Sequence, residues 1–403
     1  MKEKLIIENF GPIKHVDLDL NKINVFIGPN ASGKSTISKI IAIAKDAQFF
    51  FKLLTDINFG NEIFENYNIN EYYTDKSKIL YKTNHYSLEF SGKFFKIEIN
   101  ENEKKIALLS DIKDKYNIDS DITDVNLILK VIFNDIEHDD FEKRYYSFDL
   151  ISRLVNIPNK LLYVPTERVF ISTISKSLFG LVNSNISLHK IIVSFGAFYE
   201  KAKNIIVSDD IDFLDISYYQ KNGREYIKMN NNEIPLSASA SGIQSVLPLI
   251  LTIKAVGKDD TSFVIEEPEL NLFPVSQKGL VSFLIGNAYK NNNSLTINTH
   301  SPYILMALNN LIEAENVLKE LKEKGYDEKD LKIYEQKIKN IVKSNQLLDF
   351  DDIAVYYIHS DGTAEDIKDY ENRLINAEKI DSVSDIFADE TDKLLDISFN
   401  NKG

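Results

Sequence analysis

The sequence predicts an α/β fold with a mixed sheet, an antiparallel β subdomain and helical insertions. Three observations predict it. The glycine-containing segment Gly28-Pro29-Asn30-Ala31-Ser32-Gly33-Lys34-Ser35-Thr36 lies between an apolar run, Ile23–Ile27, and a helical pattern that starts at Lys34. A second apolar run, Phe263-Val264-Ile265, ends in Glu266-Glu267, and Leu295-Thr296-Ile297-Asn298, which ends at Thr299-His300, reads as another buried strand. Short, nearly continuous apolar runs are the pattern of parallel strands buried on both faces, and such sheets carry their chemistry at the C-terminal strand ends.

The elements follow in chain order. Residues 5–8 and 15–20 read as strands around the Gly11-Pro12 turn, and 23–27 as a third strand feeding the glycine loop. A helix is expected from Lys34 to about Phe51. The Tyr- and Phe-rich stretch 52–100 contains alternating runs such as Tyr86-Ser87-Leu88-Glu89-Phe90 and reads as β-rich. Helical spacing with mixed charge follows over 101–160, then a strand over 161–164 capped by Pro165-Thr166-Glu167-Arg168. An amphipathic helix is expected over 187–206. Two strands, 211–219 and 224–229, flank Asn222-Gly223, a hairpin signal because both residues tolerate positive φ. Helices over 242–256 and 274–290 alternate with strands 262–265 and 295–298. A helical hairpin broken at Gly325 runs from 303 to about 344, and a last strand, 353–358, precedes an acidic end. The division expected is a head over 1–306 with its helical insertion at about 101–160, a helical hairpin over 307–348, and a C-terminal strand and acidic helical region over 349–403 that complete the head.

Composition sets bounds. The chain has 403 residues and is 43% hydrophobic, enough for one large domain with insertions or for two. Lys and Arg number 47 against 61 Asp and Glu, a formal charge of −14. That balance gives no indication of nucleic-acid binding, although a local basic groove is compatible with it. Only Arg144, Arg153, Arg168, Arg224 and Arg373 carry a guanidinium. There is no cysteine, which excludes disulfides, thiolate metal sites and a cysteine nucleophile. No signal-peptide pattern or uncharged stretch of membrane-spanning length is visible, so a cytoplasmic location without membrane association is expected.

The loop over 28–35 fits G-x-x-x-x-G-K-[ST] in its strand–loop–helix context. Its glycines let backbone N–H groups converge on a polyphosphate, and a helix N-terminus adds a favourable field. Lys34 would reach the β- and γ-phosphates of ATP, and the Ser35 hydroxyl would ligate Mg²⁺. Glu266 would hold the same metal. Glu267 would polarise the attacking water. His300 at its strand end would sense the γ-phosphate. Ser239-Ala240-Ser241-Gly242-Ile243-Gln244 opens a helix with free N–H groups and hydroxyls, suited either to an anion or to a plain N-cap at Ser241.

Together, Asn9-Phe10-Gly11-Pro12-Ile13, the loop over 28–36, Tyr163-Val164-Pro165-Thr166-Glu167-Arg168, Ser239 to Gln244, Ile265 to Leu272 and Thr299-His300-Ser301-Pro302-Tyr303 resemble the ABC-type ATPase heads of the SMC, RecF and OLD group, in particular compact bacterial ATPases of antiphage, OLD-like systems. The resemblance spans residues 5–305. It implies a P-loop ATPase that dimerises, or assembles further, with ATP sandwiched between one copy's 28–36 loop and the other's Ser241, Gly242 and Gln244. It makes Glu267 the hydrolytic residue, His300 the switch histidine, and 269–272 a loop crossing the interface. Relatives often place aspartate where Glu266 stands. Ala240 competes with Ser241 for the signature serine position. Gln48 and Glu167 compete for the Q-loop role. Arg168 is either part of the site or a structural ion pair.

The function expected is an ATP-hydrolysing switch controlling a separately encoded effector, a nuclease or toxin, in antiphage defence. A DNA-repair or DNA-tethering ATPase like the RecF heads is one alternative. A self-contained OLD-like nuclease using Asp349, Asp351, Asp352 and Asp361 is another.

Overall fold

The computed structural model describes residues 3–55, 60–91, 94–100, 156–158, 160–171, 189–230, 232–258, 260–344, 346–376 and 389–393. Of the helical insertion expected at about 101–160, residues 101–155 lie outside the described residues, while 156–158 form no helix and 160 begins a strand; most of the acidic stretch after 376 also lies outside them.

A central six-stranded sheet organises the chain. Its order is β15 (Ala364–Asp366), β14 (Ile353–Ile358), β3 (Ile23–Ile27), β13 (Ser294–Thr299), β12 (Thr261–Glu266) and β7 (Lys160–Val164). All neighbours run parallel except the β14–β15 edge pair. Every residue of β3 and β12 is buried, which explains their mostly apolar runs Val25–Ile27 and Phe263–Ile265. The mixed sheet is thus present as expected.

The antiparallel subdomain is a five-stranded sheet in the order β2 (Ile13–Leu20), β1 (Glu3–Phe10), β4 (Lys78–Lys82), β5 (Tyr86–Ser91) and β6 (Phe94–Ile99). Alternate residues Leu5 and Ile7 of β1 and Val16, Leu18 and Leu20 of β2 are buried, the period-two pattern of a sheet with one covered face. They join one core with α1 (Lys34–Ala44), α2 (Ala47–Thr55) and α3 (Gly60–Asn66). The stretch after 51 is therefore helical before it is β-rich. Its aromatics pack in edge-on pairs between helices and sheet, such as Phe64 with Phe90 and Phe50 with Tyr86. The helix expected to run to Phe51 breaks at Lys45-Asp46. Lys45 is buried against Glu3 at 2.8 Å, and Asp46 Oδ1 accepts from Gln48 N at 2.8 Å, capping α2.

A second core lies on the opposite face of the central sheet. It gathers α4 (Lys190–Ile205), α5 (Ser241–Val256), α6 (Pro274–Ala288) and α7 (Pro302–Glu323). A four-stranded antiparallel meander, β8 (Ser208–Ile211), β9 (Ile216–Lys221), β10 (Arg224–Met229) and β11 (Asn232–Pro235), adjoins it. Asn222 and Gly223 turn β9 into β10 with φ of 52° and 71°, the expected hairpin. The chain breaks at Gly325 between α7 and α8 (Glu328–Val342), and a small hairpin, β16 (Lys368–Asp369) with β17 (Leu374–Ile375), packs on α7.

Candidate nucleotide site

The loop after β3 has the geometry of an anion cradle. Gly28 and Gly33 take φ of 150° and 105°, and Ala31 takes 60°. A Cβ at Gly28 would collide with the carbonyl oxygen of Ile358 on β14, so only glycine fits there. No side chain caps α1 and no acid sits in its first turn, leaving its first N–H groups available to an anion. The Ser32 hydroxyl is buried in this loop without a hydrogen-bond partner among the described residues. Ser35 is exposed at the start of the helix.

Lys34 lies back on its own loop. Its Nζ donates to Gly28 O at 2.9 Å and to Pro29 O at 2.7 Å. Burial pushes this ammonium down from its ordinary value to about 8, against the pull of Glu267 and Glu269. A cation held so in a dry loop is poised to regain full charge against an anion.

β12 presents two carboxylates in different settings. Glu266 is buried, and its Oε1 accepts from Tyr163 Oη at 2.6 Å across the neighbouring strand β7. Burial first, and Glu266 second, push the Tyr163 phenol well above its ordinary range, so it stays a donor. Glu267 is one-third exposed and adopts φ of 41°, an uncommon conformation for a residue with a Cβ. Strain of this kind persists where surrounding structure fixes the backbone. Here Glu267 N donates to Asn298 O at 2.9 Å, and Arg168 holds the other side. Fully buried, Arg168 donates to the carbonyl oxygens of Pro165 (3.0 Å), Ser245 (3.3 Å), Glu266 (2.7 Å) and Glu267 (2.5 Å). These contacts to main-chain carbonyls, rather than a carboxylate ion pair, fix the turn that aims Glu267.

His300 stands beside Glu267, with Nε2 3.5 Å from Oε1. Burial and the Lys34 charge lower its pKa, so the ring is neutral at pH 7. Glu269 faces inward. Its Oε1 accepts from Thr299 Oγ1 at 2.6 Å and from His300 N at 3.0 Å, which ties the loop after Glu267 to the histidine. Burial raises the Glu269 pKa. Gln277 extends the tie, accepting from Ser301 Oγ at 2.6 Å and donating to Leu272 O at 3.0 Å.

A cavity of about 580 Å³ opens where these loops meet. Gly11, Pro12, Tyr72, residues 30–36, Glu267, Asn298 and His300 line it. The structure therefore brings Asn30, Ala31, Ser32, Gly33, Lys34, Ser35, Thr36, Glu267 and His300 together. Gly28 and Pro29 adjoin through the Lys34 contacts, and Glu266 sits behind the lining, next to Asn298 in the sheet register. Ser241, Gly242 and Gln244 do not line this cavity. Ser241 is the first residue of α5 and Ala240 its N-cap, with no side-chain cap, so the plain-cap alternative for Ser241 is not what forms. Gly242 instead packs on the Asn271 carbonyl, where any Cβ would collide. Gln48 is exposed and lines a different cleft. Asn298 and Tyr72 as lining residues, and the bond from Tyr163 to Glu266, were not anticipated from sequence.

The profile of a protein family, the AAA ATPase domain, matches residues 1–305. The chain belongs to this family. The AAA ATPase domain thus contains both halves of the cavity, the loop over 28–36 and His300. No curated protein matches the chain. Solved structures with some similarity include an SMC head bound to the C-terminal winged-helix domain of ScpA, at 12% identity and TM-score 0.41, covering 76% of this chain and 92% of that one. Another is the SMC head domain from Thermotoga maritima, at 12% identity and TM-score 0.35, covering 76% and 91%. A third is the SMC head from Pyrococcus furiosus with an extended coiled coil, bound to the C-terminal domain of ScpA, at 10% identity and TM-score 0.37, covering 96% and 99%.

The C-terminal acids are engaged locally. Asp349 pairs with Lys319 at 2.7 Å, Asp351 with Arg373 at 2.8 Å, Asp352 accepts from Tyr289 Oη at 2.7 Å, and Asp361 accepts from Thr363 Oγ1 at 2.7 Å. No cluster of acids and histidines able to hold a metal occurs among the described residues. No described helix is long and apolar enough to cross a membrane.

Proposed function

We propose that this chain binds ATP with Mg²⁺ in the cavity over 28–36, hydrolyses it, and uses the cycle to close and open a homodimer that controls a separately encoded effector. The single observation that carries the reading is the convergence of Lys34, Glu267 and His300 on one cavity floored by a strained glycine loop and a free helix N-terminus. The 28–34 backbone would cradle the phosphates and Lys34 would bridge the β- and γ-groups. The Ser35 hydroxyl and the Glu266 carboxylate suit Mg²⁺, a hard cation preferring oxygen ligands, and the buried, unpartnered Ser32 hydroxyl suits the polar ligand. When bound, the metal would neutralise charge on the β- and γ-oxygens. Glu267 would take a proton from water as its oxygen bonds to phosphorus. The bond from phosphorus to the bridging oxygen breaks, and ADP leaves with that electron pair. Neutral His300 would donate to the terminal phosphoryl group.

Two features support dimer closure. The Ser241-Gly242 segment packs on Asn271 and does not line the cavity over 30–36 in its own copy. Apolar side chains are exposed directly after both site loops, with Phe273 at 74%, Val275 at 75% and Tyr303 at 47%. The division into a head over 1–306, a hairpin over 307–348 and a completing C-terminal region, the cytoplasmic location and the role in antiphage defence belong to the same proposal. They rest on the resemblance of the motifs.

The test is a steady-state ATPase assay with light scattering. Wild type should hydrolyse ATP, Lys34→Ala should lose nucleotide binding, and Glu267→Gln should bind ATP without turnover and accumulate as a dimer. Full turnover in both variants would refute the assignment. A nuclease or toxin encoded next door that co-purifies with the ATP-bound dimer would support effector control.

A further inference from the structure

Asn298 is a polar side chain near the end of a buried strand, only 2% exposed. Its Oδ1 accepts from Ser38 Oγ of α1 at 2.6 Å. Its Nδ2 is buried and has no hydrogen-bond partner among the described residues. An unmade hydrogen bond in such a place is costly, and native proteins rarely leave one without a purpose. Asn298 lines the cavity together with Lys34, Glu267 and His300. In the sheet it stands between Glu266 of β12 and Phe26 of β3, and its carbonyl anchors Glu267 N.

We infer that the Asn298 amide donates to an oxygen of the terminal phosphoryl group of a bound nucleoside triphosphate, which makes Asn298 a residue that distinguishes triphosphate from diphosphate. The inference deepens the proposed function and rests on it. The hydroxyl of Ser38 occupies Oδ1, so the group left for a ligand is the N–H₂, a donor suited to an anion and not to a cation. The backbone N–H groups of 29–34 serve the inner phosphates, whereas Asn298 sits on the wall with Glu267 and His300, where the terminal phosphoryl group would lie. Ser38 also belongs to the helix that begins at the phosphate loop, so the contact holds loop, helix and amide in one geometry. A donor held in place before the ligand arrives needs no reorganisation when charge shifts during transfer.

The experiment is calorimetric titration of the full chain with Mg²⁺ and either a non-hydrolysable ATP analogue or ADP, for wild type, Asn298→Ala, Asn298→Asp and Ser38→Ala. In Asn298→Asp an acceptor and a negative charge replace the donor. Affinity for the triphosphate analogue should fall about 10- to 100-fold while affinity for ADP changes by about twofold or less. Turnover should fall by about 10²- to 10³-fold. Asn298→Ala should shift the same ratio by a smaller factor. Ser38→Ala, which frees the amide to rotate, should lower it by about two- to fivefold. A ratio unchanged in the Asn298 variants, or a loss shared equally by ADP, overturns the inference. If neither Asn298 variant folds, an unchanged ratio in Ser38→Ala overturns it. Wild type that binds neither nucleotide would instead sink the proposed function.

Discussion

Replacing Arg168 by methionine sets two large effects against each other. The guanidinium is fully buried, and burial pulls its pKa from 12.5 down to about 10 even with four glutamates nearby. That shift of about 2.5 units corresponds to roughly 3 kcal/mol of penalty for keeping the charge, which methionine would relieve. Against it stand four main-chain carbonyls, those of Pro165, Ser245, Glu266 and Glu267, which would lose a charged donor. At roughly 1.5 kcal/mol each the loss is about 6 kcal/mol, leaving a net destabilisation of about 3 kcal/mol. Urea unfolding should show a lower midpoint with an unchanged slope, and thermal melting a matching drop. Because two of the carbonyls position Glu267, turnover should fall further than nucleotide affinity. Buried ions replaced by apolar side chains of similar size sometimes gain stability. An Arg168→Met protein as stable as wild type would show that the charge penalty dominates and refute the clamp.

Tyr163→Phe leaves the buried Glu266 Oε1 without its donor; it should cost about 1–3 kcal/mol in melting experiments and raise the Mg²⁺ concentration needed for half-maximal ATPase activity. ATP affinity should fall about 20-fold between pH 7.5 and 9.5, measured with a fluorescent analogue. Lys34 titrates near 8 when free, and a bound anion holds the proton, so the complex binds more protons than the free protein in that window. The same depressed pKa works in the opposite sense on folding. The unfolded chain binds the Lys34 proton more tightly, so stability without nucleotide should rise from pH 8 to 10.5, and Lys34→Met should flatten that stability profile. Gly242→Ala drives a methyl group into the Asn271 carbonyl; analytical ultracentrifugation of the Glu267→Gln background should show the ATP-bound dimer lost while monomeric nucleotide binding persists.

The parts of the site that were legible in the sequence are those built locally. The loop over 28–36 needs glycine at fixed positions because of its own φ angles, and β3 and β12 announce themselves because burial on both faces favours consecutive apolar residues. What was illegible joins distant residues. Tyr163 and Glu266 lie 103 positions apart, and Ser38 and Asn298 lie 260 apart, so no spacing could pair them. Arg168 was visible as one of few arginines, but its role depends on carbonyls brought from two other segments. The break at Lys45-Asp46 escaped because a buried lysine is the exception among lysines, and this one is held by Glu3 from the N-terminal strand. The Asp46 cap over Gln48 was a local sign of it.

The hydrogen bonds around Glu269 give the site a mechanical character that the motifs alone do not express. Glu269 Oε1 joins Thr299 and His300, Gln277 joins Ser301 to Leu272, and Gly242 rests on Asn271. The residue that would face the terminal phosphate and the turn that would face a second copy are thus linked through one short loop, 267–273. Glu269 holds the backbone N of His300 and not its ring, so a backbone displacement there on loss of that phosphate would either stretch the Glu269 bonds or carry the loop with it. Leaving these largely buried groups unpaired would cost about 1–3 kcal/mol each, which favours displacement of the loop as a unit. That is how a local change at the cavity would reach a surface where Phe273 and Val275 already stand exposed.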